Sequence, residues 1–310
     1  MKLLKIVLSG LIAVLTFISP ALPQKLSLGK LPTDGEIDMS KFELVWNDEF
    51  NDSSLDTSKW GYTWWETERK GGFWHEDMVS VNNGCLEIAA EYLDEPLENK
   101  YYEKWHDKID FKEYRPGYYT GVITTNGKYE QCYGYFEVRC KLPAARGLWS
   151  SFWMMNEGVF NVDGFGDDGT EVDIFESMYY KDHWWGNDSV IGGIHYDGYG
   201  KDSKGDSIGR IFIENDPYNE FNTYGLEWSK DEYIFYLNGK ECGRISTGGI
   251  SDNPEYLLLS VEIAGKDGIA DADRHGTGKI GLTPKSNWPV KFVVDYVRCY
   301  QYKDILSEVG

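Results

Sequence analysis

The 310 residues carry 51 acidic and 31 basic side chains, a net charge of −20, which sets aside a nucleic-acid backbone as partner. With 41% hydrophobic residues, 26% charged residues and 34 glycines, the chain can bury an ordinary core, so disorder is excluded as its main state. Aromatic residues make up 15%, including 12 Trp and 22 Tyr, more than packing requires, and aromatic faces in a cleft stack on apolar sugar faces.

At the start, Lys2 and Lys5, an apolar stretch from Ile6 to Ile18 and the small residues around Ser19-Pro20-Ala21 read as an export signal covering residues 1–21. The stretch falls short of the roughly 20 apolar residues that cross a bilayer, so a secreted, extracellular protein is expected, with no membrane partner beyond export. Losing Lys2 and Lys5 leaves the mature chain two units more acidic. Residues 22–40 then form a polar lead-in, 41–302 a single domain with no linker inside it, and 303–310 a short tail.

The strongest signal along the domain is a period of two. Strand-like runs occur at FELVW (42–46), CLEIAA (85–90), YGYFEVRCKL (133–142), SSFWMM (150–155), EVDIFESMYY (171–180), NTYGLEW (222–228), EYIFYL (232–237), YLLLSVEI (256–263) and KFVVDYVRCY (291–300). Asn238-Gly239 between EYIFYL and KECGRI predicts a tight hairpin. Residues 91–118 and 197–220 read as long surface loops, and no segment sustains a helical period over three turns. Many short strands with almost no helix predict an all-β sandwich of two antiparallel sheets.

Five cysteines, Cys85, Cys132, Cys140, Cys242 and Cys299, leave at least one without an intrachain partner. Cys132 and Cys140 would lie about 26 Å apart on one extended strand and cannot bridge each other. With no C-x-x-C and no H-E-x-x-H, the cysteines read as buried hydrophobes with room for one or two bridges rather than as zinc ligands.

The chemistry sits in Thr170-Glu171-Val172-Asp173-Ile174-Phe175-Glu176. On a regular strand Glu171 and Asp173 share a face, whereas Glu176, five positions from Glu171, would point into the apolar side. A β-bulge at Ile174-Phe175 restores the parity and brings the three acids onto one face. Such crowding lets one carboxylate act as nucleophile while a second, kept protonated by its neighbours, acts as acid, which is what glycoside hydrolysis uses. An acidic edge strand or a calcium site would use the same three side chains.

The stretches GLWSSFWMM (147–155), EVDIFE (171–176), FNTYGLEW (221–228) and VDYVRCYQ (294–301), with LVWNDEF (44–50), resemble glycoside hydrolase family 16 over about residues 42–301. The E-x-D-x-x-E spacing is similar to the bulged, laminarinase-like form. The resemblance implies a concanavalin A-like β-jelly roll of two curved sheets with a substrate groove on the concave one, and retaining endo-acting chemistry. It implies Glu171 as nucleophile, Glu176 as general acid/base and Asp173 as the helper that orders the proton states. No cofactor is expected for catalysis.

On the strand 148–155, Trp149, Ser151 and Trp153 share one face. The resemblance makes Trp149 and Trp153 the groove floor, although both would also serve as core residues. His195 matches a histidine beside the acids that hydrogen-bonds substrate; by itself it reads as a satisfied sheet histidine. Trp64, Trp65, Trp184 and Trp185 are further candidates for extending the groove. Asp295 shares parity with Val293, Val297 and Cys299, and a buried carboxylate needs a partner. The resemblance offers a structural calcium held by Asp295 with main-chain oxygens of Glu49 and Gly84; hydrogen bonds to backbone amides are the alternative.

Glu262, with Ser260, stands where glucan-active members commonly have small residues, which keeps galactan backbones open as substrates. The expected function is a secreted, monomeric, retaining endo-β-glycanase acting on β-1,3-glucan or mixed-linkage β-1,3/1,4-glucan. An endo-β-galactosidase, or a non-catalytic lectin-like binder on the same fold, is the alternative.

Overall fold

The computed structural model describes residues 29–62, 68–98, 114–179, 188–271 and 285–309. The export signal and Trp64, Trp65, Trp184 and Trp185 lie outside the described residues. In chain order the strands are β1 (Phe42–Asp48), β2 (Glu68–Arg69), β3 (Gly72–Trp74), β4 (Val79–Asn82), β5 (Cys85–Leu93), β6 (Gly117–Thr120), β7 (Val122–Thr124), β8 (Gly134–Lys141), β9 (Leu148–Met155) and β10 (Glu171–Met178). They continue with β11 (Ser189–Tyr196), β12 (Lys204–Phe212), β13 (Asn222–Trp228), β14 (Tyr233–Leu237), β15 (Lys240–Ile245), β16 (Tyr256–Ile263), β17 (Gly265–Lys266), β18 (Ile269–Ala270) and β19 (Val290–Tyr302). Among the described residues the helix α1 (Lys303–Val309) occupies what the sequence presents as a tail.

Two sheets form the jelly-roll sandwich. The larger runs β15-β14-β13-β8-β19-β5-β6-β3-β2, with β1 paired to β19 and β4 to β5; the smaller runs β12-β11-β10-β9-β16-β7. Among these strands pairing is antiparallel except between β3 and β6. Alternation explains how the sheets meet. Leu257, Leu259, Val261 and Ile263 of β16 and Phe152 and Met154 of β9 enter the core with Phe136, Val138, Leu226, Phe292 and Val294 of the larger sheet. Phe175 of β10 spans the interface, its ring centroid 4.3 Å from Tyr224 and 6.2 Å from Phe292.

The opposite face of the smaller sheet is also largely covered. Trp153 and Met155 of β9 and Tyr256 and Leu258 of β16 form a second cluster with Trp74, Val122 and Val159. Every residue of β16 is therefore buried, which accounts for its unbroken apolar run. The hairpin predicted at Asn238-Gly239 joins β14 to β15.

Several expectations need correction. Residues 197–220 are not one loop, because β12 pairs with β11 along its length; its side chains are mostly exposed, so no buried alternation marks it. The polar lead-in is tied to both sheets: Lys30 bridges to Ile211 of β12, and Glu36 to Lys240 of β15. Both are edge strands whose free hydrogen-bonding groups are thereby covered in part. All five cysteines are free thiols, with Cys140, Cys242 and Cys299 buried as hydrophobes, and neither of the bridges left open is present.

Asp295 is not on the buried face. The β19–β8 register shifts between Val294 and Tyr296, so Val294, Val297 and Cys299 stay inside while Asp295 turns out of the alternation. Its side chain is 31% exposed and bonds Arg139. The Glu49 carboxylate takes two 2.9 Å bonds from Arg298, whose guanidinium holds it below the usual carboxylate range. Gly84 lies in the turn joining β4 to β5. The structure thus corrects the placement of Asp295 on the buried face and gives its carboxylate an arginine partner rather than backbone amides. Melting with and without EDTA tests the calcium at Asp295: a drop of several degrees, reversed by added calcium, is the result expected of a bound ion, and an unchanged midpoint excludes it.

Candidate active site

The local sequence of β10 dictates where its acids point. Val172, Ile174 and Phe175 are all buried in the core, so two consecutive side chains enter the same side. Against β11, Asp173 pairs with Gly193 and Glu176 with Ile191, three steps on β10 for two on its neighbour. Against β9, Asp173 pairs with Trp153 and Phe175 with Phe152, again one surplus residue on β10. That is the anticipated bulge, and it returns Glu176 to the face of Glu171 and Asp173. All three line one groove of about 710 Å³.

The same groove takes in Trp149, Trp153, His195 and Glu262. His195 sits opposite Glu171 in the β10–β11 register, its Nε2 3.7 Å from Asp173 Oδ2. Trp153 donates from Nε1 to Ser260 Oγ at 3.1 Å, and Ser260 Oγ lies 3.2 Å from Ser151 Oγ, so the floor of β9 and β16 is fixed by hydrogen bonds as well as packing. By contrast, Glu49, Gly84 and Asp295 belong to β19 of the larger sheet and to turns beside its strands, and do not line the groove.

Sequence reasoning missed Arg69, Lys70, Trp74, Phe160 and Tyr199, all of which line the groove. Arg69 Nε lies 2.6 Å from Glu262 Oε1 and Lys70 Nζ 2.5 Å from Glu262 Oε2. Lys70 Nζ stands 3.7 Å from the Trp149 ring centre, and Arg69 stacks 5.1 Å from that of Trp74. These partners are 192 or more residues from Glu262. The one local signal was Gly71-Gly72: Gly71 donates to Ile263 O at 3.0 Å, and a Cβ on it would fall 2.2 Å from Ala264 O. Only glycine lets Lys70 approach β16 this closely.

Burial dominates the acids' protonation. Asp173, 4% exposed, is pushed well above the usual carboxylate range by burial and then by the charges of Glu176 and Glu171. Burial also raises Glu176, to about 7, with Glu171 adding to the rise while Lys70 and a Trp149 hydrogen bond oppose it. Glu171 is raised by burial, against a hydrogen bond from Tyr199 and the charges of His195 and Arg69. Burial would raise Glu262 too, but Arg69 and Lys70 outweigh it and hold that carboxylate below its ordinary value. The groove thus pairs a carboxyl that keeps its proton near neutrality with one that can ionise.

Two groups of described residues bring potential metal-ligand atoms within 4.8 Å of one another: Glu171, Asp173 and His195 in the groove, and Asp163, Asp167 and Asp168 on a surface loop. The first is the acid cluster itself. In the second, Asp168 Oδ2 accepts a bond from Asn161 Nδ2 at 2.6 Å.

A family model described as the β-porphyranase A–D GH16 domain matches residues 43–302. The chain belongs to glycoside hydrolase family 16. This family 16 enzyme is 31% identical to β-porphyranase B of Zobellia galactanivorans, over 72% of this chain and 74% of that one. It is 26% identical to a β-glucanase of Rhodothermus marinus, over 84% and 86% respectively. It also spans 40 to 55% of the length of three further, longer relatives. Among solved structures, the non-specific endo-β-1,3(4)-glucanase SCLam superimposes with a TM-score of 0.65 at 28% identity, covering 89% of this chain and 98% of that one. SCLam has been crystallised with oligosaccharide at its active site. The chain is accordingly a glycoside hydrolase of endo-β-glucanase-like type whose substrates are poly- or oligosaccharides.

Replacing Glu171→Gln should lower kcat by about 10³-fold or more without shifting the melting midpoint. The kcat/KM profile should be bell-shaped. Its alkaline limb should fall near pH 7 as Glu176 loses its proton, and its acid limb should follow protonation of Glu171. Activity rising steadily above pH 8 would remove Glu176 as the acid.

Proposed function

We propose that the enzyme is a secreted, retaining endo-β-glycanase that works by double displacement. Glu171 attacks the anomeric carbon while Glu176 gives its proton to the departing glycosidic oxygen; Glu176 then takes a proton from water as the glycosyl–Glu171 bond breaks. Asp173 keeps its proton and spares the pair a third negative charge. Trp149 and Trp153 supply flat apolar faces for the sugar ring. The observation that carries this reading is the bulge in β10, which puts an acid of raised proton affinity on the face of the nucleophile. Export rests on the signal-like residues 1–21.

For the sugar, we propose a β-galactan backbone. The porphyranase model spanning residues 43–302 supports this, as does the similarity to β-porphyranase B. The groove's own contribution is Glu262 with Arg69 and Lys70, which presents fixed acceptors and donors beside Trp149 and Trp74. The two cations offset the charge of Glu262, so the groove is less acidic there than its four carboxyl groups alone would make it. The second reading, a β-1,3- or mixed-linkage glucan, is supported by the similarity to the R. marinus β-glucanase and to SCLam.

The test is endo-cleavage of agarose, porphyran, mucin-type glycans, laminarin and lichenan, with the products sized. Galactan cleavage is expected; hydrolysis of laminarin or lichenan alone would transfer the assignment to glucan. On the preferred substrate, Glu262→Gln should raise KM by about tenfold, the loss of one charged hydrogen-bond partner, and leave kcat within about threefold.

A further inference from the structure

Tyr199 has no part in the scheme above, yet the structure holds its phenol on the nucleophile. The chain leaves β11 through Asp197-Gly198, both with left-handed backbone (φ 60° and 73°). Asp197 is 2% exposed, and its Oδ1 accepts bonds from the backbone nitrogens of Asp163 at 3.1 Å and Gly164 at 3.0 Å. Lys204 Nζ lies 3.1 Å from Asp197 Oδ2 and donates to Gly164 O at 2.9 Å. Gly198 N donates to Val159 O at 2.7 Å. These bonds tie the turn after β11 to the segment 159–164. The Phe160 ring then meets that of Tyr199 edge-on at 5.7 Å. So placed, the Tyr199 hydroxyl donates to Glu171 Oε2.

We propose that Tyr199 is a catalytic hydrogen-bond donor that stabilises the Glu171 carboxylate as it departs in the second half of the reaction. The proposal rests on the double-displacement reading and deepens it. With Oε2 engaged by the phenol, Oε1 is the oxygen that bonds the anomeric carbon. In the glycosyl-enzyme Oε2 is a carbonyl oxygen. As water attacks, with its proton passing to the Glu176 carboxylate, the bond from carbon to Oε1 breaks and its electron pair returns to Glu171. The hydrogen bond from Tyr199 strengthens as that charge develops, and the phenol keeps its own proton throughout. Burial, and then the charge of Glu171, push the phenol above its ordinary value, so it remains a donor at working pH. The other groups that bear on Glu171 are Asp173 and Glu176 of β10, His195 of β11, Arg69 of β2, Glu262 of β16 and Glu255 just before β16.

Tyr199→Phe keeps the ring and its contact with Phe160 and removes only the donor. Measured on an aryl β-glycoside of the preferred sugar, the variant should show a burst of aryl alcohol followed by turnover slowed on the order of 10²-fold. KM should fall as glycosyl-enzyme accumulates, and the adduct should be visible by intact mass after acid quench. The acid limb of kcat/KM should move to higher pH, because Glu171 loses a bond that favours its ionised form. The melting midpoint should not change. A variant with wild-type kcat, no burst and an unmoved acid limb would overturn the role of Tyr199 while leaving double displacement intact. If the first product of the wild-type enzyme is instead the α-anomer, double displacement falls and this role falls with it.

Discussion

The central constraint on this molecule is that β10 must satisfy a hydrophobic core and an acidic groove with one stretch of eight residues. Ile174 and Phe175 are both needed inside, where Phe175 closes the contact between the sheets on Tyr224 and Phe292. A strictly alternating strand would send one of them out and Glu176 in, and a charged carboxylate among those rings would be destabilising by several kcal/mol. The bulge meets both demands. It also sets the chemistry, because carboxyl groups drawn onto one partly buried face cannot all ionise.

Electrostatic balance in the groove follows from that crowding. Glu171, Asp173 and Glu176 are each raised by burial, and Glu262 brings a fourth carboxylate to the same space. Arg69 and Lys70, carried over β16 by the turn at Gly71-Gly72, take up the charge of Glu262. Lys70 also opposes the rise at Glu176, so it helps set the proton affinity of the acid as well as the shape of the sugar site. On the other side Tyr199 favours ionisation of Glu171 through its hydrogen bond. Glu171 and Glu176 are thus tuned from opposite walls, each by a turn held close to the sheet.

Most of the sandwich was legible as alternation, because strands with one face in the core and one in water write their geometry into the order of residues. The bulge in β10 was legible for a special reason: Glu176 stood at a parity that regular pairing would have made unfavourable. The bulge in β19 left no such sign. There the regular reading put Asp295 among buried residues, whereas the extra residue turns it out to Arg139. β12 was read as loop because a mostly exposed edge strand shows no buried stripe. Glu171, Asp173, Glu176, Trp149, Trp153, His195 and Glu262 were found because strand parity and a resemblance named them. Arg69, Lys70 and Tyr199 were not, because their meeting with Glu262 and Glu171 depends on turns whose approach to the sheet no local pattern encodes.

The most direct test of a surplus residue bringing Glu176 over the same trough as Glu171 is azide rescue of Glu176→Ala on an activated aryl β-glycoside of the preferred sugar. If the two side chains share that face, azide enters the space left by the missing carboxyl, restores turnover and yields the β-glycosyl azide. No rescue at any azide concentration in a folded variant, or formation of the α-glycosyl azide, would contradict the arrangement.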